Sequence, residues 1–261
     1  MKPRPVHISE AFTRIEAVVV ILVLIVVLAV LRMTVRPMID RASLPPRISC
    51  LNNLLQIGTA YRIWENDNGN RYPALQSVTK GGWSDLLTNA DQGSLCWTNY
   101  AIMANELGQT PKLLVCPSDE RKPAGYLTNA SSIGTDLKDN RSLSYFVGVS
   151  ACASQPQFLL GGDRNLGGTK PDADYGFSPQ NGKGNDVAIQ TNSSAAPVCW
   201  SLKMHSAGNP DGGGNILLGD GSARKVSTRS FRSDWLSRAD PTTNWPVGHV
   251  PSSPSIRVLF P

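Results

Sequence analysis

The sequence predicts an α+β chain in which a long N-terminal hydrophobic helix, kinked near Pro37 and Pro45, packs on a small antiparallel sheet with long loops. Three observations carry this. Ala17 to Leu31 is apolar throughout and free of charge. Cys50, Leu54, Ile57, Tyr61 and Trp64 recur at helical spacing, which puts them on one face of a helix. In the last third, short apolar runs alternate with polar residues around a Gly-rich stretch and an Asp220-Gly221 turn, the pattern of a meander.

Composition narrows the function classes. With 23 Gly and 19 Pro in 261 residues, connections are long and turns many. The net charge of +5 is mild, and no Lys/Arg cluster interleaves with aromatics, so a nucleic-acid partner is not expected. The 5 cysteines are dispersed, without a CxxC pair, which argues against a zinc site of the usual spacing and against a thioredoxin-like motif.

Taken in order, Lys2, Arg4 and Arg14 precede the apolar run. The residues alone leave open a cleaved signal peptide and an uncleaved anchor. Residues 32–46 hold Pro37, Pro45 and Pro46 and read as a linker or a kinked helix, because each proline removes a backbone donor. The strongest helix runs from Arg47 to about Asp67, closed by the glycine of NDNGN and by Pro73. Short helices are expected in GGWSDLLTNA and from Thr98 to Leu107, and an extended element at LLVCP. Strands are expected within Ser142–Ala151, at VCWSLKMH, and on both sides of Asp220-Gly221, while Phe158–Leu166 reads as a short apolar run followed by a turn. Residues 167–197 read as a polar loop.

The segment AFTRIEAVVVILVLIVVLAVL resembles the N-terminus of type IV prepilins and type II secretion pseudopilins: a leader, a cut before Phe, and a glutamate at the fifth mature position. The resemblance implies a leader over residues 1–11, cleavage between Ala11 and Phe12 by prepilin peptidase, and methylation of Phe12. It further implies a transmembrane helix over 12–31 and a pilin-like extracytoplasmic domain over 47–261. Glu16 would pair with the N-terminal amine of a neighbouring subunit. Ala11 replaces the family's glycine, and Arg14 its leucine. The helix opening RISCLNNL, the LLVCPSDE segment, and a His followed by an apolar strand and Asp-Gly extend the likeness to related proteins with large C-terminal domains. There it implies a disulfide between Cys50 and Cys116 and a C-terminal signature of His205, Asp220 and Gly221.

The implied function is a membrane-anchored, pseudopilin-like subunit or accessory of a secretion or pilus-like system. It would be a single-pass protein of the bacterial inner membrane with its large domain periplasmic, and its partners would be prepilin peptidase, other pseudopilin subunits and the lipid bilayer. The alternative is a non-polymerising anchored binding domain. Catalysis is not expected: no nucleophile motif accompanies His205, which reads as a strand-end histidine bonded to Asp211 or Asp220. Calcium is the one cofactor candidate, with Asp163, Asp211, Asn215 and Asp220 as loop oxygens and no EF-hand spacing among them.

Overall fold

The structure, a computed structural model, describes residues 14–41, 45–87, 92–127, 137–168, 171, 173–191, 198–206, 211–236 and 255–261. The chain divides into two units, Met1–Pro45 and Pro46–Pro261.

The described part of the first unit is one helix, α1 (Arg14–Arg41), with Glu16 in its first turn, where a carboxylate favours the positive end of the helix dipole. Its backbone stays helical through Pro37. From Ile15 to Val30 the large apolar side chains are exposed. Among the described residues, however, no helix is long and apolar enough to cross a membrane. Arg14 and Glu16 bound the charge-free run at Ala17, and that run is shorter than the roughly 20 residues that about 30 Å of hydrocarbon requires. This overturns the single-pass inner-membrane placement and, with it, the periplasmic assignment of the large domain.

The second unit begins with α2 (Pro46–Asp67), whose Pro46 sits at the first helical position, where a missing N–H costs nothing. The expected apolar stripe is its buried face, and Gly69 follows in the left-handed conformation. A 3-10 turn at Pro73–Leu75 and α3 (Cys96–Ile102) come next. The strands are β1 (Tyr145–Gly148), β2 (Leu159–Asp163), β3 (Leu166–Gly167), β4 (Asn185–Gln190), β5 (Cys199–Trp200), β6 (Gly213–Leu218), β7 (Ala223–Ser227) and β8 (Ser255–Phe260). Six of them form an antiparallel sheet in the order β4-β8-β1-β2-β6-β7, and β3 pairs with β5 separately.

The fold therefore corrects the predicted architecture. The sheet is six-stranded rather than small, and among the described residues no helix is long and apolar enough to cross a membrane. The helix that covers it is the amphipathic α2, over β6 and β7. One apolar cluster joins α2 and α3 to Tyr145, Val147, Leu217 and Leu259. A second lies on the opposite face, where Phe146, Ile216, Val258 and Phe260 meet Trp200 and Phe231. The central strands β1, β6 and β8 are consequently buried on both sides.

Other elements also differ from expectation. Residues 167–197 contain β4, an edge strand of mixed exposure that pairs only with β8. The first two residues of LLVCP belong to a 3-10 turn, Pro111–Leu114, and the chain becomes extended only at Val115. VCWSLKMH is a strand for Cys199–Trp200 alone and then turns into a 3-10 helix at Met204–Ser206.

Gly58 shows how closely α2 meets the sheet. A Cβ there would collide with the Gly221 carbonyl oxygen and stand 2.9 Å from Leu217 Cδ1. Gly221 is itself fixed by a φ of 82° in the β6–β7 turn, so it cannot easily yield. Gly58→Ala is expected to destabilise the domain by about 1–3 kcal/mol despite alanine's better helix propensity. Urea unfolding checks this, and an unchanged or raised midpoint would show that α2 can lift off the turn freely.

Candidate functional site

Four distant stretches of chain meet under α2. Cys50 lies on the helix's buried face, Cys116 follows the 3-10 turn at Pro111–Leu114, Asp163 ends β2, and His205 sits in the turn Met204–Ser206. Cys50, Cys116 and Asp163 are fully buried, and the His205 side chain is 4% exposed. A ligating atom from each of Cys50, Cys116 and His205 lies within 4.8 Å of the other two.

Asp163 organises this group. Its Oδ2 accepts from His205 Nε2 at 2.9 Å and from the Asn215 backbone N–H at 2.6 Å, while Oδ1 accepts from the Cys50 thiol at 2.9 Å. Tyr145 OH lies 3.4 Å from Cys50 Sγ. Asn53, one turn along α2, donates to the Val115 carbonyl at 3.2 Å and so ties the Cys116 segment to the helix. Half-buried Arg47 reaches the Gly214 carbonyl at 3.4 Å and sets a positive charge near Asp163 and Cys50. Asn215 Nδ2 is 3.2 Å from His205 Nε2. Rotating that amide places Oδ1, otherwise buried without a partner, against the imidazole N–H.

The proton distribution follows from these contacts. Burial pushes the Cys50 thiol well up, with Cys116 and Asp163 adding to the effect, so Cys50 keeps its proton and donates it to Asp163. The neighbouring Cys50 side chain brings Cys116 down to about 7 against the opposing effect of burial, with help from His205. Burial alone would lower His205, but the charge and hydrogen bond of Asp163, together with Cys116, raise it to about 9. Between those values the site holds a Cys116 thiolate beside a His205 imidazolium.

A thiolate, an imidazolium and a carboxylate make the set found in thiol nucleophiles. Here both sulfurs are sealed from solvent, so a substrate carbonyl has no approach to them. The same atoms are also a donor set for a thiophilic divalent ion, and the two sulfurs are neighbours suited to oxidation. Both are thiols in this structure.

The sequence singled out Cys50, Cys116 and His205, and the structure brings these three together. It gives His205 a partner in Asp163 rather than Asp211 or Asp220, and a place in a turn rather than at a strand end. Asp220 accepts from Ser222 N–H at 2.8 Å and shapes the β6–β7 turn with Gly221. Two of the calcium candidates, Asp163 and Asn215, meet beside His205, while Asp220 shapes the β6–β7 turn; among the described residues, the group of three acidic, Cys or His side chains placed to hold a metal is Cys50, Cys116 and His205. Glu16 is in the first turn of α1, whereas Ala11 and Phe12 lie outside the described residues. Sequence reasoning missed the roles of Asp163, Asn53 and Tyr145. The one signal for Asn53 was its place one turn after Cys50 on the same helix. Compared with known proteins, the chain matches no protein family, no curated protein and no solved structure.

Proposed function

We propose that the chain is a non-enzymatic, pseudopilin-like subunit that is processed by prepilin peptidase and assembles with further pseudopilin subunits through α1. One observation carries this reading: the exposed side chains of α1 are apolar around its whole circumference from Val18 to Val30. A helix apolar on every side is stable when other helices cover it, and a bundle of like helices meets that need without a specific groove. Glu16 supports the reading further, because an acid in the first turn of such a helix is suited to pair with an N-terminal amine once both are desolvated.

Co-expression with prepilin peptidase tests the proposal. Intact-mass measurement is expected to show loss of Met1 to Ala11 and one added methyl on Phe12. Copies bearing two different tags are expected to co-purify, and Glu16→Ala to abolish that co-purification while the domain of residues 46–261 keeps its circular dichroism. A chain that retains Met1, or whose copies never co-purify, would instead be a non-polymerising binding domain.

A further inference from the structure

We propose that Cys50, Cys116 and His205 form a binding site for one zinc ion, with Asp163 orienting the histidine. The donor types select the metal class. Thiolate sulfur and imidazole nitrogen favour zinc over calcium or magnesium, which take oxygen ligands. The spacing is also suitable: around a tetrahedral zinc, with Zn–S near 2.3 Å and Zn–N near 2.0 Å, ligand atoms stand roughly 3.5–3.8 Å apart. The three donors already lie within 4.8 Å of one another, so small side-chain rotations fill three of the four tetrahedral positions and leave the fourth for a water brought in with the ion.

Two further features point to an ion. His205 Nε2 is held by Asp163 at 2.9 Å, no oxygen or nitrogen is bonded to the buried Nδ1, and the other side chain that interacts with the imidazole is the thiol of Cys116. An imidazole with one nitrogen on a carboxylate and a cysteine sulfur as its other neighbour has the arrangement of a metal-ligating histidine. The framework is also fixed before any ion enters. Asn53 holds the Val115 carbonyl beside Cys116, and the Asn215 N–H holds Asp163.

Charge balance agrees. Zinc binding displaces the Cys50 proton, now donated to Asp163, and the proton of the His205–Cys116 pair. Two thiolates and a divalent cation are neutral together, and Asp163 keeps Arg47 and the imidazole N–H as its partners. The site links α2, the Cys116 segment and the turn before β6, so the bound ion would act as a cross-link between elements far apart in the chain. It is independent of whether α1 assembles.

The test uses the full-length chain, reduced and kept in solution by a neutral detergent. After incubation with zinc sulfate and gel filtration, elemental analysis is expected to find about one zinc per chain. Cobalt(II) in its place is expected to give the intense visible bands of a tetrahedral ion with thiolate charge transfer in the near ultraviolet. Cys116→Ser and His205→Ala are expected to lose stoichiometric zinc, and Asp163→Asn to weaken binding about 10- to 100-fold. The cobalt spectrum of the unmutated chain needs no folded variant. A reduced, folded wild type that takes up neither ion would overturn the proposal. So would zinc retained equally by Cys116→Ser, or a Cys50–Cys116 disulfide whose reduction yields a protein that still refuses metal.

Discussion

Asp119→Ala is expected to destabilise the domain of residues 46–261 by about 3–5 kcal/mol, because it leaves a buried guanidinium without its counter-charge. Arg164 Nε donates to Asp119 Oδ2 at 2.7 Å and its second nitrogen to Oδ1 at 2.8 Å, with both side chains sealed from solvent. Ser144 donates a third bond to Oδ2 at 2.6 Å, and the Arg164 guanidinium lies 3.3 Å over the Tyr175 ring. Burial would raise the Asp119 carboxyl, but the bonds and charge of Arg164 hold it below the usual carboxylate range. Its contribution is thus present above the ordinary carboxylate pKa and is lost as pH falls through the lower folded value. Urea unfolding at neutral pH measures the loss, and a cost below about 1 kcal/mol would mean that water replaces the carboxylate.

This ion pair bears on the zinc site as well as on stability. Asp119 N–H donates to the Cys116 carbonyl at 2.9 Å, and Arg164 directly follows Asp163 in the chain. The pair therefore clamps the segment that presents Cys116 to the strand end that presents Asp163. Asp119→Asn, which keeps the shape and two hydrogen-bonding atoms, is expected to cost less and to retain zinc more tightly than Asp119→Ala.

Local features of the chain were readable where one element carried its own signal. The stripe from Cys50 to Trp64 specifies which face of α2 is buried, because all five residues satisfy one helical period. The Asp220-Gly221 turn specifies the β6–β7 hairpin for an equally local reason, a left-handed φ at Gly221. What stayed hidden depends on pairing between distant segments. NDVAIQ is too polar to announce β4, which is held by all six of its residues pairing with β8 from the far end of the chain. His205 finds Asp163 because β2 and β6 are neighbours in the sheet, with Gly162 opposite Ile216, and no spacing rule contains that register. The dispersed cysteines argued against a zinc site for the same reason. The usual spacing describes ligands on one pair of loops, whereas these donors come from a helix, an extended segment and a turn.

In the metal-free, reduced protein, the difference between the pH profiles of wild type and Cys116→Ser is expected to expose the proton that His205 and Cys116 share. His205 rises from 6.5 to about 9 on folding, so its stabilisation is complete below pH 6.5 and is lost as pH rises through 9. Cys116 falls from 9.0 to about 7, so its stabilisation is present above pH 9 and is lost as pH falls through 7. Between 7 and 9 the two slopes have opposite sign and comparable size, and the wild type is expected to vary little on their account. Serine removes the thiolate's slope but leaves His205 facing Asp163, with Cys50, Arg47 and Tyr145 otherwise around the site. Its stability relative to wild type should then fall by about 1 kcal/mol for each pH unit from 7 to 9. Urea midpoints at closely spaced pH values, with chelator present, give the two profiles. Parallel profiles would show that the thiolate and imidazolium do not form in the folded chain. Zinc should instead make wild-type stability rise with pH and so widen the difference from Cys116→Ser, since binding releases the Cys50 proton and the proton of the His205–Cys116 pair.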